Sequence, residues 1–409
     1  MKNNELYMNK NLCCGCNACV NACPQKAINL IEDNKGFKYP EIDENKCVNC
    51  KICEKICAYK KQIKKQEIKA VYAGITNDSE LLKKSSSGGI FAEIAKEFLN
   101  SEGIVYGCAW ENENEELVPK HIRIDTVENL YKIQGSKYVN SFIGNCYEQI
   151  KNDLITGKKV LFSGTPCQVD ALKSFLSTVN ISNLYTIDLI CHGTPNFRFF
   201  KDYIKLLEKK VKGKIINISF RDKSEGWNLQ GKIWYIDKNG KTKEKELLTS
   251  TSSYYNLFLS AKTYRENCYT CKYASQNRVG DITIGDYWGI EKVHPELLKN
   301  RLLDTSLGIS AIIVNSPKGE DMLNAIQEER LFLYKSSFDK VSYENEQLKK
   351  PCKKSPEREK IMNLYEKDGY KAVEKYFFDK MGKKKYIYYV WDKVPRRIQL
   401  LIKKIKKII

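Results

Sequence analysis

The stretch from Cys13 to Cys57 constrains this 409-residue chain more than any other. It holds nine of the sixteen cysteines, and eight of them form two copies of one pattern. Cys13, Cys16, Cys19 and Cys23 run C-x2-C-x2-C-x3-C, closed by Pro24; Cys47, Cys50, Cys53 and Cys57 repeat the spacing, with Ala58 in place of the proline. A [4Fe–4S] cubane needs four thiolates at tetrahedral corners. Three cysteines spaced by two residues wrap three irons from one tight loop, and the fourth iron must be reached from elsewhere. Where two such runs occur together, the last cysteine of each serves the other cluster. The spacing assigns Cys13, Cys16, Cys19 and Cys57 to one cluster, and Cys47, Cys50, Cys53 and Cys23 to a second. Cys14 breaks the spacing and reads as a bystander. Zinc sites need neither the third cysteine nor the crossed fourth. Disulfides need an oxidising compartment, and the polar start of the chain has no signal-peptide character.

This stretch resembles a bacterial-type two-[4Fe–4S] ferredoxin. Hydrophobic content of 42% and charged content of 29% describe a globular chain, and no apolar run is long enough for a spanning helix. Thiols on this scale with cluster spacing point to a reducing, anaerobic cytoplasm. The net charge of +19 raises the question of nucleic acid, but no binding module is recognisable and none is expected as a partner. Much of the charge sits at the end: residues 383–409 hold ten Lys and Arg against one Asp.

The charged connector Lys60–Lys69 sets the first boundary. Beyond it, Val71–Ile75 reads as a strand, and Ser85-Ser86-Ser87-Gly88-Gly89 opens a helix over Ile90–Leu99. Such a loop offers bare N–H groups and hydroxyls at the positive end of a helix dipole, which suits a phosphate; an ordinary N-cap accounts for it equally well. Gly103–Trp110 is a strand, Gln134–Val139 a second polar loop and Ile143–Leu154 a helix. The strand Lys159–Ser163 turns at Gly164-Thr165-Pro166-Cys167 into a helix, and a second buried strand, Asn183–Ile190, ends at Cys191-His192-Gly193-Thr194-Pro195. In an α/β sheet both turns fall on the side where ligands bind. Residues 215–247 read as an antiparallel section, and Cys268 and Cys271 add another C-x2-C. Cys167, Cys191, Cys268 and Cys271 are candidates for one more four-thiolate site, or buried structural cysteines; Cys108, Cys146 and Cys352 read as structural.

SSSGGIF at Ser85, QGSKYV at Gln134, VLFSGTPCQ at Val160, DLICHGTP at Asp188, FRDKSEGW at Phe220 and GDITIGDYWG at Gly280 occur together and in order. Over about residues 10–315 the chain resembles the coenzyme F420 hydrogenase/dehydrogenase beta-subunit family, with a ferredoxin domain fused in front. The resemblance implies an α+β or α/β architecture: a two-[4Fe–4S] domain over 1–62, a flavin-binding α/β body in two parts, 70–148 and 149–350, and a charged helical tail over 351–409. It implies FAD and a third [4Fe–4S] cluster in the body. On that carry-over Cys167, Cys191, Cys268 and Cys271 become cluster ligands, and Ser86, Ser87, Gly88, Gly89, Gln134, Gly135, Ser136, Lys137, Tyr138, Gly164 and Thr165 become flavin contacts. No G-x-G-x-x-G supports a Rossmann site. The expected activity is an oxidoreductase passing electrons between the clusters and FAD, to reduce or oxidise F420 or another small organic substrate. The alternative is a non-catalytic subunit relaying electrons to a separate catalytic protein.

A flavin holds one or two electrons and joins one-electron clusters to pairwise organic chemistry. A ferredoxin-type protein is the expected electron partner, steered by Lys60, Lys61, Lys64 and Lys65. His192 reads as a proton donor or a strand-end cap, and Lys137 as a phosphate contact or a solvated lysine. Arg221, Asp286 and Trp288 are candidates for the active-site wall, and no catalytic acid is assigned. Ile398, Leu401, Ile402, Ile405, Ile408 and Ile409 share one helical face opposite four lysines, which fits peripheral contact with the inner face of a membrane or packing on protein.

Overall fold

The computed structural model describes Leu6 and residues 9–63, 67–299, 305–384, 386–387 and 394. The doubled cysteine run gives doubled geometry. Each C-x2-C-x2-C loop turns into one short helix, Ala18–Ala22 or Ile52–Ile56, whose N-caps Asn17 and Lys51 are left-handed at φ 63° and 58°. Each helix stops on the fourth cysteine, Cys23 or Cys57, in extended backbone. Between the runs, β1 (Ile28–Glu32) and β2 (Lys38–Ile42) pair antiparallel.

The body continues with β3 (Ala70–Thr76), β4 (Ile104–Glu113), β5 (Glu116–Ile124), β6 (Val160–Gly164), β7 (Leu184–Leu189), β8 (Gly213–Ser219), β9 (Gly231–Asp237), β10 (Thr242–Leu247), β11 (Ile282–Asp286), β12 (Ser310–Val314) and β13 (Leu331–Lys335). One mixed sheet has the order β13-β3-β12-β11-β7-β6-β4-β5. Its centre, β4-β6-β7-β11, is parallel, and the flanking pairs are antiparallel. Parallel strands buried on both faces need near-continuous apolar runs, and Val160-Leu161-Phe162 of β6 is fully buried. Strands from either side of residue 148 alternate within this sheet. The second sheet, β10-β9-β8, is wholly antiparallel, as the sequence reading expects.

The ferredoxin domain is built into the body rather than hung on a linker. Ala18 and Ile56 share a core with Tyr147, Val169 and Leu172, and Phe37 and Tyr39 share another with Phe199, Tyr254 and Tyr365. The segment read as a charged tail also enters that second core. Helix Glu357–Met381, broken at Gly369, buries Ile361, Met362, Tyr365, Tyr370 and Val373. Its Arg358, 2% exposed, donates to the Tyr264 carbonyl at 2.9 and 3.1 Å. The amphipathic stretch 396–409 lies outside the described residues. Among the described residues no helix is long and apolar enough to cross a membrane.

Candidate redox site

Two thiol sets occupy the ferredoxin domain. Cys23, Cys47, Cys50 and Cys53 line one cavity, so the fourth cysteine of the first run joins the first three of the second. In the other set Cys19 lies within electrostatic reach of Cys13 and Cys57, and also of Cys53 of the first set, and Cys16 within reach of Cys19. Burial pushes the Cys19 thiol up, so without a metal it holds its proton. Among the described residues no three His, Cys, Asp or Glu side chains converge on a single-ion site; a cubane, with its own four irons and four sulfides, needs its thiolates held further apart.

Two of the four body cysteines come from the C-terminal edge of the parallel strands. Cys167 stands in the first turn of helix Pro166–Phe175 after β6, where Pro166 is preset for the helix start. Gln168 Oε1 accepts from the Thr165 N–H and hydroxyl, both at 3.0 Å, and the Thr165 hydroxyl lies 3.1 Å from Cys167 Sγ. Cys191 follows β7, and Cys268 and Cys271 come from a turn around Glu266–Thr270. All four line one cavity. A buried ion pair ties its walls together: Arg278, at the foot of the C-x2-C loop, meets Asp188 of β7 at 2.8 Å and donates to the carbonyls of Tyr273 and Leu189. Asp188 also accepts from the Val279 and Gly280 amides, which explains the acid in DLICHGTP; Gly280 is glycine because a Cβ there would fall 2.6 Å from the Asp188 nitrogen.

Two further cysteines line this cavity against expectation. Cys14, read as a bystander, is buried and sits against the thiols of Cys16 and Cys167. Cys352 donates to the His192 carbonyl at 3.2 Å. Spacing rules cannot see either, because the contacts are tertiary.

On the other side of Cys191 opens a cleft of about 280 Å³, the lower end of the range for ligand pockets. Ser86, Ser87, Gly89, Gln134, Gly135, Ser136, Lys137, Tyr138, Gly164 and Thr165 all line it. Gly88 does not. A Cβ there would fall 2.2 Å from the Gly74 carbonyl oxygen, so this glycine exists for close packing of the loop on β3. Gly89 caps the following helix at φ 82°, and the Ser86 hydroxyl accepts from the Ser136 N–H at 2.8 Å, joining the two polar loops. Lys137 is half-buried: its ammonium donates to the carbonyls of Lys132, Gln134 and Gly135, and burial lowers it to about 8. Asp286 and Trp288 line the far wall. Arg221 pairs with Asp286 and lies 5.3 Å from the Trp288 ring, which stacks on Trp227 at 4.7 Å. His192 lines both cavities, and burial lowers its imidazole. His121, a residue the sequence reading passes over, also lines the cleft. It lies 3.2 Å from both the Ser141 hydroxyl and the Ser163 carbonyl, and burial lowers it to about 4, so it is neutral. Of the connector lysines, Lys61 is exposed and donates to the Ser174 hydroxyl at 2.7 Å, and Lys64 and Lys65 lie outside the described residues.

Sequence profiles of the N-terminal and C-terminal parts of the coenzyme F420 hydrogenase/dehydrogenase beta subunit match residues 71–144 and 157–338. The chain belongs to the coenzyme F420 hydrogenase/dehydrogenase beta-subunit family. A 4Fe-4S dicluster domain matches residues 12–61, so this family member carries an iron–sulfur dicluster domain in front of its beta-subunit body. A polyferredoxin-like protein of Methanocaldococcus jannaschii is 39% identical over 54 residues, which cover 11% of this chain and 32% of that protein. A xenon-derivatised F420-reducing [NiFe] hydrogenase complex from Methanosarcina barkeri aligns over 69% of this chain and 89% of its own, at 17% identity and a TM-score of 0.42.

Proposed function

We propose that this F420 hydrogenase/dehydrogenase beta-subunit relative is an iron–sulfur flavoprotein oxidoreductase that moves electrons between its ferredoxin clusters and a small organic substrate, F420 or another. One observation carries the reading. The cysteine cavity and the polar cleft share a wall of Ser141, Thr165, Gln168, Cys191, His192 and Gly193, so a metal centre on one side and a flavin on the other are neighbours by construction. Bound FAD would supply the exchange between one-electron and two-electron chemistry. The donor set fits such groups. Cys13, Cys16, Cys19 and Cys57, Cys47, Cys50, Cys53 and Cys23, and Cys167, Cys191, Cys268 and Cys271 make three sets of four thiols. The Ser86 hydroxyl and the glycine-opened backbone at Gly89 and Gly135 offer donors to a phosphate or a flavin edge, while the Ser87 and Thr165 hydroxyls, whose protons go to the Ile309 carbonyl and Gln168 Oε1, are left as acceptors.

The exposed Cys50, with Val48 and Ile52 61% and 39% exposed beside it and Lys51 and Lys55 around it, forms a face for an electron-carrying protein. Iron, acid-labile sulfide and flavin content of protein purified without oxygen tests the reading. About twelve irons and one FAD per chain are expected, at four irons per cubane. About eight irons and no flavin would reduce the chain to a relay subunit.

A further inference from the structure

We propose that Arg265 is the counter-charge shared by the ferredoxin domain and the body: its buried guanidinium lies between the thiol set of Cys13 and that of Cys268, and raises the potentials of both. The inference rests on the reading that both sets hold clusters, and adds a residue which that reading does not use. A buried charge needs a partner. Among the described residues four arginines are 4% exposed or less: Arg221, Arg265, Arg278 and Arg358. Three of them are paired with carboxylates, Arg221 with Asp286, Arg278 with Asp188 and Arg358 with Glu266. Arg265 forms no ion pair among the described residues, and the acidic groups acting on it most strongly are the Cys13, Cys14 and Cys268 thiols and the Tyr39 phenol. The face of the Tyr39 ring lies 4.1 Å away, which softens the charge without neutralising it.

Hydrogen bonds fix the charge in this place. Arg265 Nε donates to the Cys13 carbonyl at 2.6 Å, and a terminal nitrogen donates to the Lys38 carbonyl at 2.9 Å. Gly15 packs on the guanidinium at φ 70°, where a Cβ would come within 3.1 Å of it. The backbone of the same residue reaches the body set. Its carbonyl accepts from the Cys268 N–H at 3.0 Å, and its N–H donates to the carbonyl of Thr194, in the loop that follows Cys191, at 3.0 Å. One residue thus touches both sides of the domain boundary, through its side chain on one and its main chain on the other.

Ligating cysteines are deprotonated when metal binds, so Cys13 and Cys268 become the anions that the guanidinium otherwise lacks. Reduction adds one further negative charge to a centre. A fixed cation beside it stabilises the reduced form more than the oxidised one and raises the potential. Because Arg265 faces both sets, an electron passing between them stays beside its counter-charge. The step moves one electron and no proton: the donor centre loses one electron, the acceptor gains it, no bond forms or breaks, and the guanidinium keeps all its protons.

The test compares the full parent chain with Arg265→Gln, Arg265→Met and Arg265→Lys, all purified without oxygen. Iron content and potentials from electron paramagnetic resonance titration are the readouts. In the two neutral variants the centres on Cys13 and Cys268 should each hold their electron about tenfold less tightly, about 59 mV more negative for one electron. The centre on Cys47, Cys50 and Cys53 should move least. Arg265→Lys, which keeps the charge and loses the planar fork, should restore most of the shift. Parent-like potentials in a neutral variant with about twelve irons would overturn the inference and leave the proposed function standing. A lysine variant shifted as far as the neutral ones would overturn it too, by tracing the shift to the lost hydrogen bonds. Loss of iron from all three variants would make Arg265 a structural clamp and overturn it; loss from the neutral pair alone would support it, since lysine lacks the fork as they do. A parent with about eight irons would remove the body centre, and the reading beneath the inference with it.

Discussion

At the scale of single residues, the cleft is built from charges that have already been spent. Lys223, buried, donates to the Leu82 and Ser87 carbonyls, and burial followed by the Arg221 charge pushes it down to about 7. The sign follows from proton counting. Between about pH 7 and the ordinary lysine range the unfolded chain carries this proton and the folded chain does not, so stability rises with pH across that window. Below pH 7 both forms are charged and the burial cost is paid in full. One such group contributes a slope of at most about 1.4 kcal/mol per pH unit. Lys137 acts in the same direction over an overlapping range. Urea midpoints measured from pH 7 to 10 should therefore climb more steeply in the parent than in Lys223→Met; identical slopes would show that Lys223 is not held neutral. Single residues were also where sequence reasoning was weakest. A lysine in a polar loop looks solvated until the three carbonyls around Lys137 are seen, and Cys14 looks idle until Cys167 is brought against it.

At the scale of elements, the sequence reading recovers β3, β4, β6 and β7 of the large sheet and passes over β11 and both edges. β6 is legible because its Val160-Leu161-Phe162 run is apolar and buried on both faces. β5 and β13 close the two ends of the sheet, where one side of the ladder is open and the apolar signal is diluted. β5 even carries Pro119, which an edge strand tolerates and a central one does not. The cleft is legible for a different reason: its loops are glycine- and serine-rich at fixed places next to strand ends. Gly88 shows that such a motif mixes roles. Gly88→Ala places a methyl group 2.2 Å from the Gly74 carbonyl oxygen and 2.7 Å from the Ser310 nitrogen, both backbone atoms that cannot step aside. Overpacking of this kind costs about 1–3 kcal/mol. The variant should melt below the parent and, because the displaced loop is the cleft wall, retain less of the proposed flavin after gel filtration. A normal melting temperature with full flavin would mean the loop relaxes freely.

At the scale of the whole molecule, a connector that reads as a linker joins parts that are not separable. The ferredoxin domain contributes Ala18, Ile56, Phe37 and Tyr39 to cores that the body completes, and Arg198 crosses the boundary to Glu32 at 3.0 Å. All five tryptophans follow residue 62, so their fluorescence reports the body, while loss of visible cluster absorbance reports the N-terminal domain as well. Under anoxic denaturation the two signals should change at one midpoint, the mark of a single cooperative unit. Two separated transitions would show that the shared cores do not couple the parts.

That interlocking changes how delivery scales with concentration. A free ferredoxin reaches its oxidoreductase by collision, so its rate falls when both are diluted and when salt screens their charges. Here the carrier is part of the same folded body, and an electron that has reached the N-terminal domain has no diffusional step left to make. Dilution and ionic strength can act on the loading of that domain from outside, but on the proposed function the passage between it and the body is first order, set by the fixed packing of the shared cores.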